Sequence, residues 1–185
     1  MRNKNLMLGA LVLSVALVAT GCAKPPQVEL DAAKAAMADA SGEAQKYASD
    51  AWTKSQDAMN AVNAEMEAQN AKFALFRSYT KTKELIAAAN QAAADAKTAA
   101  AAAKEQARTD AGTAIQAAKD AVTAAQTAMT ELDACKRKPK GYAKDMEMLR
   151  ASWDAQNAQI ADLDAKMAAE DFLGARTAAD ALKGQ

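Results

Sequence analysis

The chain has 185 residues, with 23 Lys+Arg balanced by 23 Asp+Glu, no His, 2 Cys, 3 Pro and 53 alanines. That length bounds it to one domain or a short array, and the missing histidine removes the commonest general base and the commonest neutral metal ligand. A balanced charge also lacks the basic face of a nucleic-acid binder, so no nucleic-acid partner is expected.

Residues 1–22 read MRNKNLMLGALVLSVALVATGC. Arg2 and Lys4 precede an apolar run of 15 residues from Leu6 to Thr20. A bilayer span needs roughly 20 apolar residues, so the run suits a secretory signal better. It ends in Ala19-Thr20-Gly21-Cys22, which resembles the lipobox of bacterial lipoproteins, with Ala19 where Leu is usual. The resemblance implies that residues 1–21 are a signal peptide and that Cys22 becomes the acylated first residue. Two or three acyl chains give stable membrane attachment where one is marginal. Ala23, in place of an Asp, implies by resemblance to Gram-negative sorting an outer-membrane anchor facing the periplasm. Residues 22–27 are then the acylated Cys and a tether stiffened by Pro25 and Pro26.

Beyond the tether the chain is rich in Ala, Lys, Glu, Gln and Met, all strong helix formers. The spacing predicts helices over 28–40, 47–75, 79–134, 142–169 and 172–183, with Ser41-Gly42 and the segment around Pro139-Lys140-Gly141 as breaks. Two segments carry heptad seams of the kind that packs one helix along another. The first runs through Trp52, Ser55, Met59, Val62, Met66, Gln69, Phe73 and Phe76, and the second through Met146, Leu149, Trp153, Gln156, Ile160, Leu163 and Met167. In the long helix, Ile115, Ala118, Val122, Ala125, Met129 and Leu132 repeat the spacing, whereas Ala87 to Ala107 offers an almost pure alanine face. One Gly in a helix costs only about 1 kcal/mol relative to Ala. Thr109-Asp110-Ala111-Gly112 therefore need not be a turn, and a continuous helix is preferred to a four-helix up-down bundle.

The two seams superimpose at an offset of 94: Met59 falls on Trp153, Met66 on Ile160, Asn63 on Asn157 and Lys72 on Lys166. Tyr47-Ala48 matches Tyr142-Ala143 at an offset of 95, and Tyr79 matches Phe172 at 93. The expected fold is all-α: an elongated antiparallel helical bundle or coiled coil of about five helices with an internal duplication, copy one over 28–105 and copy two over 106–185. Two independently similar amphipathic helices are the plainer alternative.

These residues also resemble a family of small bacterial envelope lipoproteins classed as a domain of unknown function. Ser41-Gly42 with Tyr47-Ala48, and Gly141-Tyr142-Ala143, resemble its Tyr-Ala-Pro turn, with Ser49 and Lys144 in place of Pro. Glu170-Asp171-Phe172-Leu173-Gly174-Ala175 resembles its acidic-aromatic turn, and Arg77-Ser78-Tyr79 matches less closely. The resemblance implies a periplasmic helical module and brings no catalytic residues.

Little reactive chemistry is visible. Cys135 stands beside Lys136, Arg137, Lys138 and Lys140. Neighbouring cations lower a thiol's pKa, and an unpaired Cys in an oxidising compartment suggests an intermolecular disulfide; the plainer reading, a partly buried loop residue, is preferred. The basic loop suits anionic lipid headgroups or peptidoglycan carboxylates, or simply a solvated helix end. No phosphate loop, Cys/His metal spacing or nucleophile elbow occurs, so neither an enzyme nor a cofactor is expected. The C-terminal Lys of the murein-linked lipoprotein has no counterpart in Leu182-Lys183-Gly184-Gln185, so no covalent peptidoglycan link is expected. The functional expectation is a lipid-anchored structural or adaptor protein that binds a partner helix or itself. The alternative is a carrier for a small apolar ligand near Trp52 or Trp153.

Overall fold

A computed structural model describes residues 24–184, and all regular structure among them is helical. The proposed signal peptide, 1–21, and Cys22 lie outside the described residues. Five α-helices follow one another: α1 (Gln27–Tyr47), α2 (Ser49–Asn70), α3 (Thr80–Ala134), α4 (Tyr142–Ala168) and α5 (Phe172–Lys183). A 3-10 turn, Ala74–Phe76, precedes α3. The chain divides into two units, one ending at Ala101 and the other beginning at Ala102, so α3 contributes to both.

Three boundaries differ from the sequence reading. Ser41-Gly42 does not break the chain; α1 runs through it, with the Ser41 hydroxyl donating to the Ala38 carbonyl at 2.8 Å. The break falls instead at Ala48, whose φ of −142° and ψ of 53° leave the helical region. Tertiary packing decides here: the chain reverses so that Ala51 and Trp52 pack against the layer formed by Ala44, Ala96 and Ala100, and small side chains permit that approach. The second helix ends at Asn70 rather than 75, where the Arg77 guanidinium takes the Asn70 carbonyl. The long helix is unbroken through Gly112, where an added Cβ would meet nothing within 4 Å.

In the first unit α1, α2 and the part of α3 up to Ala101 pack as an up-down-up trio. Leu30 and Ala33 of α1, Met59 and Val62 of α2, and Ile86 and Ala89 of α3 form one buried layer. Towards the other end Ala44, Ala96 and Ala100 form a second, flanked by Ala48, Ala51 and Trp52. Alanine buries little area, at about 25 cal/mol per Å², but lets backbones come close. Lys97 bridges to Asp39 at 2.6 Å across α3 and α1.

The second unit repeats the order with the remainder of α3, then α4 and α5. Ala107, Ala111, Ile115, Ala118 and Val122 are buried on α3, Met146 and Leu163 on α4, and Phe172, Ala175, Ala179 and Leu182 on α5. Ion pairs fix the register: Lys104 to Glu170 at 2.7 Å, Asp110 to Arg176 at 2.7 Å and Lys119 to Asp164 at 2.9 Å. Asp171 accepts from the Gly174 N–H and caps α5. The third helix is short here. It ends at Lys183, beside Ala121 and Val122, while α3 and α4 continue as a two-helix hairpin.

Candidate functional site

The uncovered hairpin carries a concave surface in the second unit. Val122, Ala125, Met129 and Leu132 of α3 face Leu149, Ser152, Trp153 and Gln156 of α4, with Leu182 and Lys183 of α5 closing one end. Together they enclose about 360 Å³. Trp153 is fixed within this groove, since its indole N–H donates to the Val122 carbonyl at 2.9 Å across the two helices. Leu132, Leu149 and Met148 remain 44%, 47% and 57% exposed. The seam residue Leu149 is therefore not core, because no third helix reaches it. Met146 and Leu163 are buried, and Ile160 and Met167 are half-buried.

At the tip of the hairpin the basic loop is organised around Asp133. Its carboxylate accepts from the Tyr142 hydroxyl at 2.9 Å and from the Arg150 guanidinium. The Lys138 ammonium lies 4.0 Å from the same carboxylate and 4.7 Å from the Tyr142 ring centroid, within cation–π range. The Tyr142 and Arg150 contacts hold the Asp133 carboxyl below its ordinary range. Burial, then the Asp133 contact, pushes the Tyr142 hydroxyl up. Lys136, Arg137 and Lys140 are exposed, as is Cys135, whose thiol lies 3.5 Å from the Glu131 carbonyl.

The first seam is interrupted in the same physical way. Ser55, Met59, Val62 and Gln69 are buried, and Trp52 and Met66 are half-buried. Phe73 and Phe76 lie beyond the end of α2 and are 68% and 75% exposed. Sequence spacing carried the heptad past Asn70 because it could not see the lock that stops the helix there. Arg77 donates to the Asn70 and Lys72 carbonyls at 2.9 Å each, and the first of these is a group that the helix end leaves unpaired. Gln69 accepts from the Ser78 N–H at 3.0 Å, and the Tyr79 hydroxyl donates to the Asn70 side chain at 3.3 Å.

No family model, no curated protein and no solved structure matches this chain.

Chemically, the groove offers apolar contact and one indole face, and the loop offers cations. Among the described residues no cluster of three or more His, Cys, Asp or Glu is arranged to hold a metal ion. No described helix is long and apolar enough to cross a membrane.

Proposed function

We propose that the protein is a lipid-anchored helical adaptor of the bacterial outer envelope, tethered through Cys22 and acting by helix–helix contact. The observation that carries this reading is the open α3–α4 hairpin. In the first unit the equivalent hairpin is covered along its length by α3, which inserts Ala96 and Ala100 beside Ala44. In the second unit α5 stops at Lys183 and leaves Leu132 and Leu149 in water. A helix presenting small residues at heptad spacing, from a partner or a second copy, has the shape that completes it. A photo-crosslinker placed at Leu149 in intact cells, followed by mass spectrometry, tests this. Crosslinks to one helical protein, lost when Ala125→Glu charges the groove, support the adaptor. Absence of any crosslinked species overturns it.

The same groove favours one second reading, a carrier for a small apolar ligand. Its volume falls at the lower end of the roughly 300–1,000 Å³ usual for ligand pockets, and Trp153 supplies a stacking face. Hydrophobic probes titrated into a Trp52→Phe variant would then change Trp153 fluorescence saturably, without any change in oligomeric state.

A further inference from the structure

Four large apolar side chains of the first unit stand in solvent, and they gather at one end of it. Val28 is 81% exposed, Phe73 68%, Leu75 53% and Phe76 75%. At this end α1 begins, α2 finishes and α3 starts. Glu29 and Lys83 approach to 3.7 Å, joining the first turns of α1 and α3. Glu65 and Lys81, at 3.0 Å, join the last turns of α2 to α3. The connection is stiff. Besides the Arg77 and Gln69 bonds, the Phe76 N–H donates to the Phe73 carbonyl at 2.9 Å, and the two rings sit 6.3 Å apart. Both phenylalanines are held outward by a braced turn, and neither contributes to the buried layers.

Cations are concentrated in the turn itself, while Glu29 and Glu65 lie at the same end and Glu67 and Glu84 flank it. Residues 68–83 contain Lys72, Arg77, Lys81 and Lys83 and no Asp or Glu. Lys81 and Lys83 pair with Glu65 and Glu29, whereas the Arg77 guanidinium donates to backbone carbonyls, which do not neutralise it. Lys24 adds a further cation in the tether. The tether itself leaves from this same end. From Cys22 to Gln27 it spans five residues, a reach of at most about 18 Å.

We propose that the α2–α3 turn is a bilayer-docking surface: Phe73, Leu75 and Phe76 enter the interfacial layer of a membrane, while Lys72, Arg77 and Lys24 meet anionic headgroups. An amphipathic surface with apolar side chains flanked by cations binds in this way, strengthened by anionic lipid. Its direction rests on reading Cys22 as the acylated anchor, which places this end of the unit against the bilayer. The turn gives the anchor a second, shallow foothold. A bundle that would otherwise pivot on its acyl chains is held at a fixed angle.

Vesicle flotation tests the turn separately from the anchor. The probe is the fragment 23–185, which lacks Cys22 and contains every helix and contact described above. It should float with phosphatidylglycerol vesicles and much less with phosphatidylcholine. Each of Phe73→Ser and Phe76→Ser should lower partitioning about tenfold, and Lys72→Gln about fivefold on anionic vesicles only. Leu149→Ser, in the groove of the other unit, should change nothing. In a Trp52→Phe/Trp153→Phe background, Phe76→Trp should shift its emission to the blue on binding and be quenched by brominated lipid. Lys72, Phe73 and Phe76 are exposed, so circular dichroism of the variants at these three positions should match that of their own parent background. Failure to float, equal flotation of the Phe73→Ser/Phe76→Ser variant, or an unshifted Phe76→Trp emission overturns the proposal. Palmitate labelling of the full-length chain judges Cys22 independently: labelling without flotation removes the turn and leaves the anchor.

Discussion

Thr82 is fully enclosed in the first turn of α3, and its hydroxyl has no hydrogen-bond partner among the described residues. Burying a hydroxyl without a partner costs roughly 1–3 kcal/mol on mutational scales. Thr82→Val keeps the shape and removes that cost, so it should raise stability by about 1 kcal/mol, read as a higher urea midpoint with unchanged slope. Asp133 makes the opposite kind of prediction. Its carboxyl is held down first by the Tyr142 hydroxyl and then by Arg150, so the unfolded chain binds its proton more readily than the folded one. The stabilisation is complete above the ordinary aspartate value of about 3.9, fades as pH falls through it, and is gone below the depressed folded value. Urea midpoints of the parent and Asp133→Asn should therefore differ at pH 7 and draw together as pH falls below the ordinary aspartate range. Neither residue stood out in the sequence. A threonine in a helix start and an aspartate before a basic loop are ordinary until their neighbours are known. The same holds for Gln69, read as a polar seam position, which the fold uses to bind the Ser78 N–H.

The elements themselves were largely legible because the large residues are spaced at heptad intervals, which decides for folded helix where so few Leu, Ile, Val and Phe would by composition alone also allow disorder. The errors lie where a side chain or a reversal, rather than propensity, ends a helix. Arg77 and Gln69 stop α2 at Asn70, and packing against Trp52 bends the chain at Ala48 without Gly or Pro. Conversely, Ser41-Gly42 looked like punctuation and is absorbed by α1. Glycines in this chain thus differ by position. Gly112 is exposed in mid-helix with open space around it, so Gly112→Ala should stabilise by up to about 1 kcal/mol, seen as a higher thermal midpoint. Gly141 has φ of 93° as it opens α4, a left-handed conformation that costs other residues about 1–2 kcal/mol. Gly141→Ala should lower the same midpoint.

Across the whole chain, the two units share a burial register that extends the sequence offsets. Tyr79, Thr82, Ile86 and Ala89 are all buried, and so are Phe172, Ala175, Ala179 and Leu182, each 93 residues later. Of these pairs only Tyr79 and Phe172 were legible in the sequence, because the Ala-containing matches align with nearly anything. The uncovered groove was equally hidden, since it exists only because α5 is shorter than its counterpart. Palmitate metabolic labelling of the intact chain should mark the parent and leave Cys22→Ser unmarked, with the variant released from the membrane fraction. The alanine layers carry a last consequence. Ala33, Ala44, Ala89, Ala96 and Ala100 sit at 0–1% exposure, where each extra methylene forces neighbouring backbones apart at about 1–3 kcal/mol per overpacked site. The tolerance of this protein to change is thereby inverted. As far as packing goes, exposed bulky residues such as Phe73 and Phe76 have room to vary, whereas its plainest side chains, defined by the atoms they lack, admit almost no replacement.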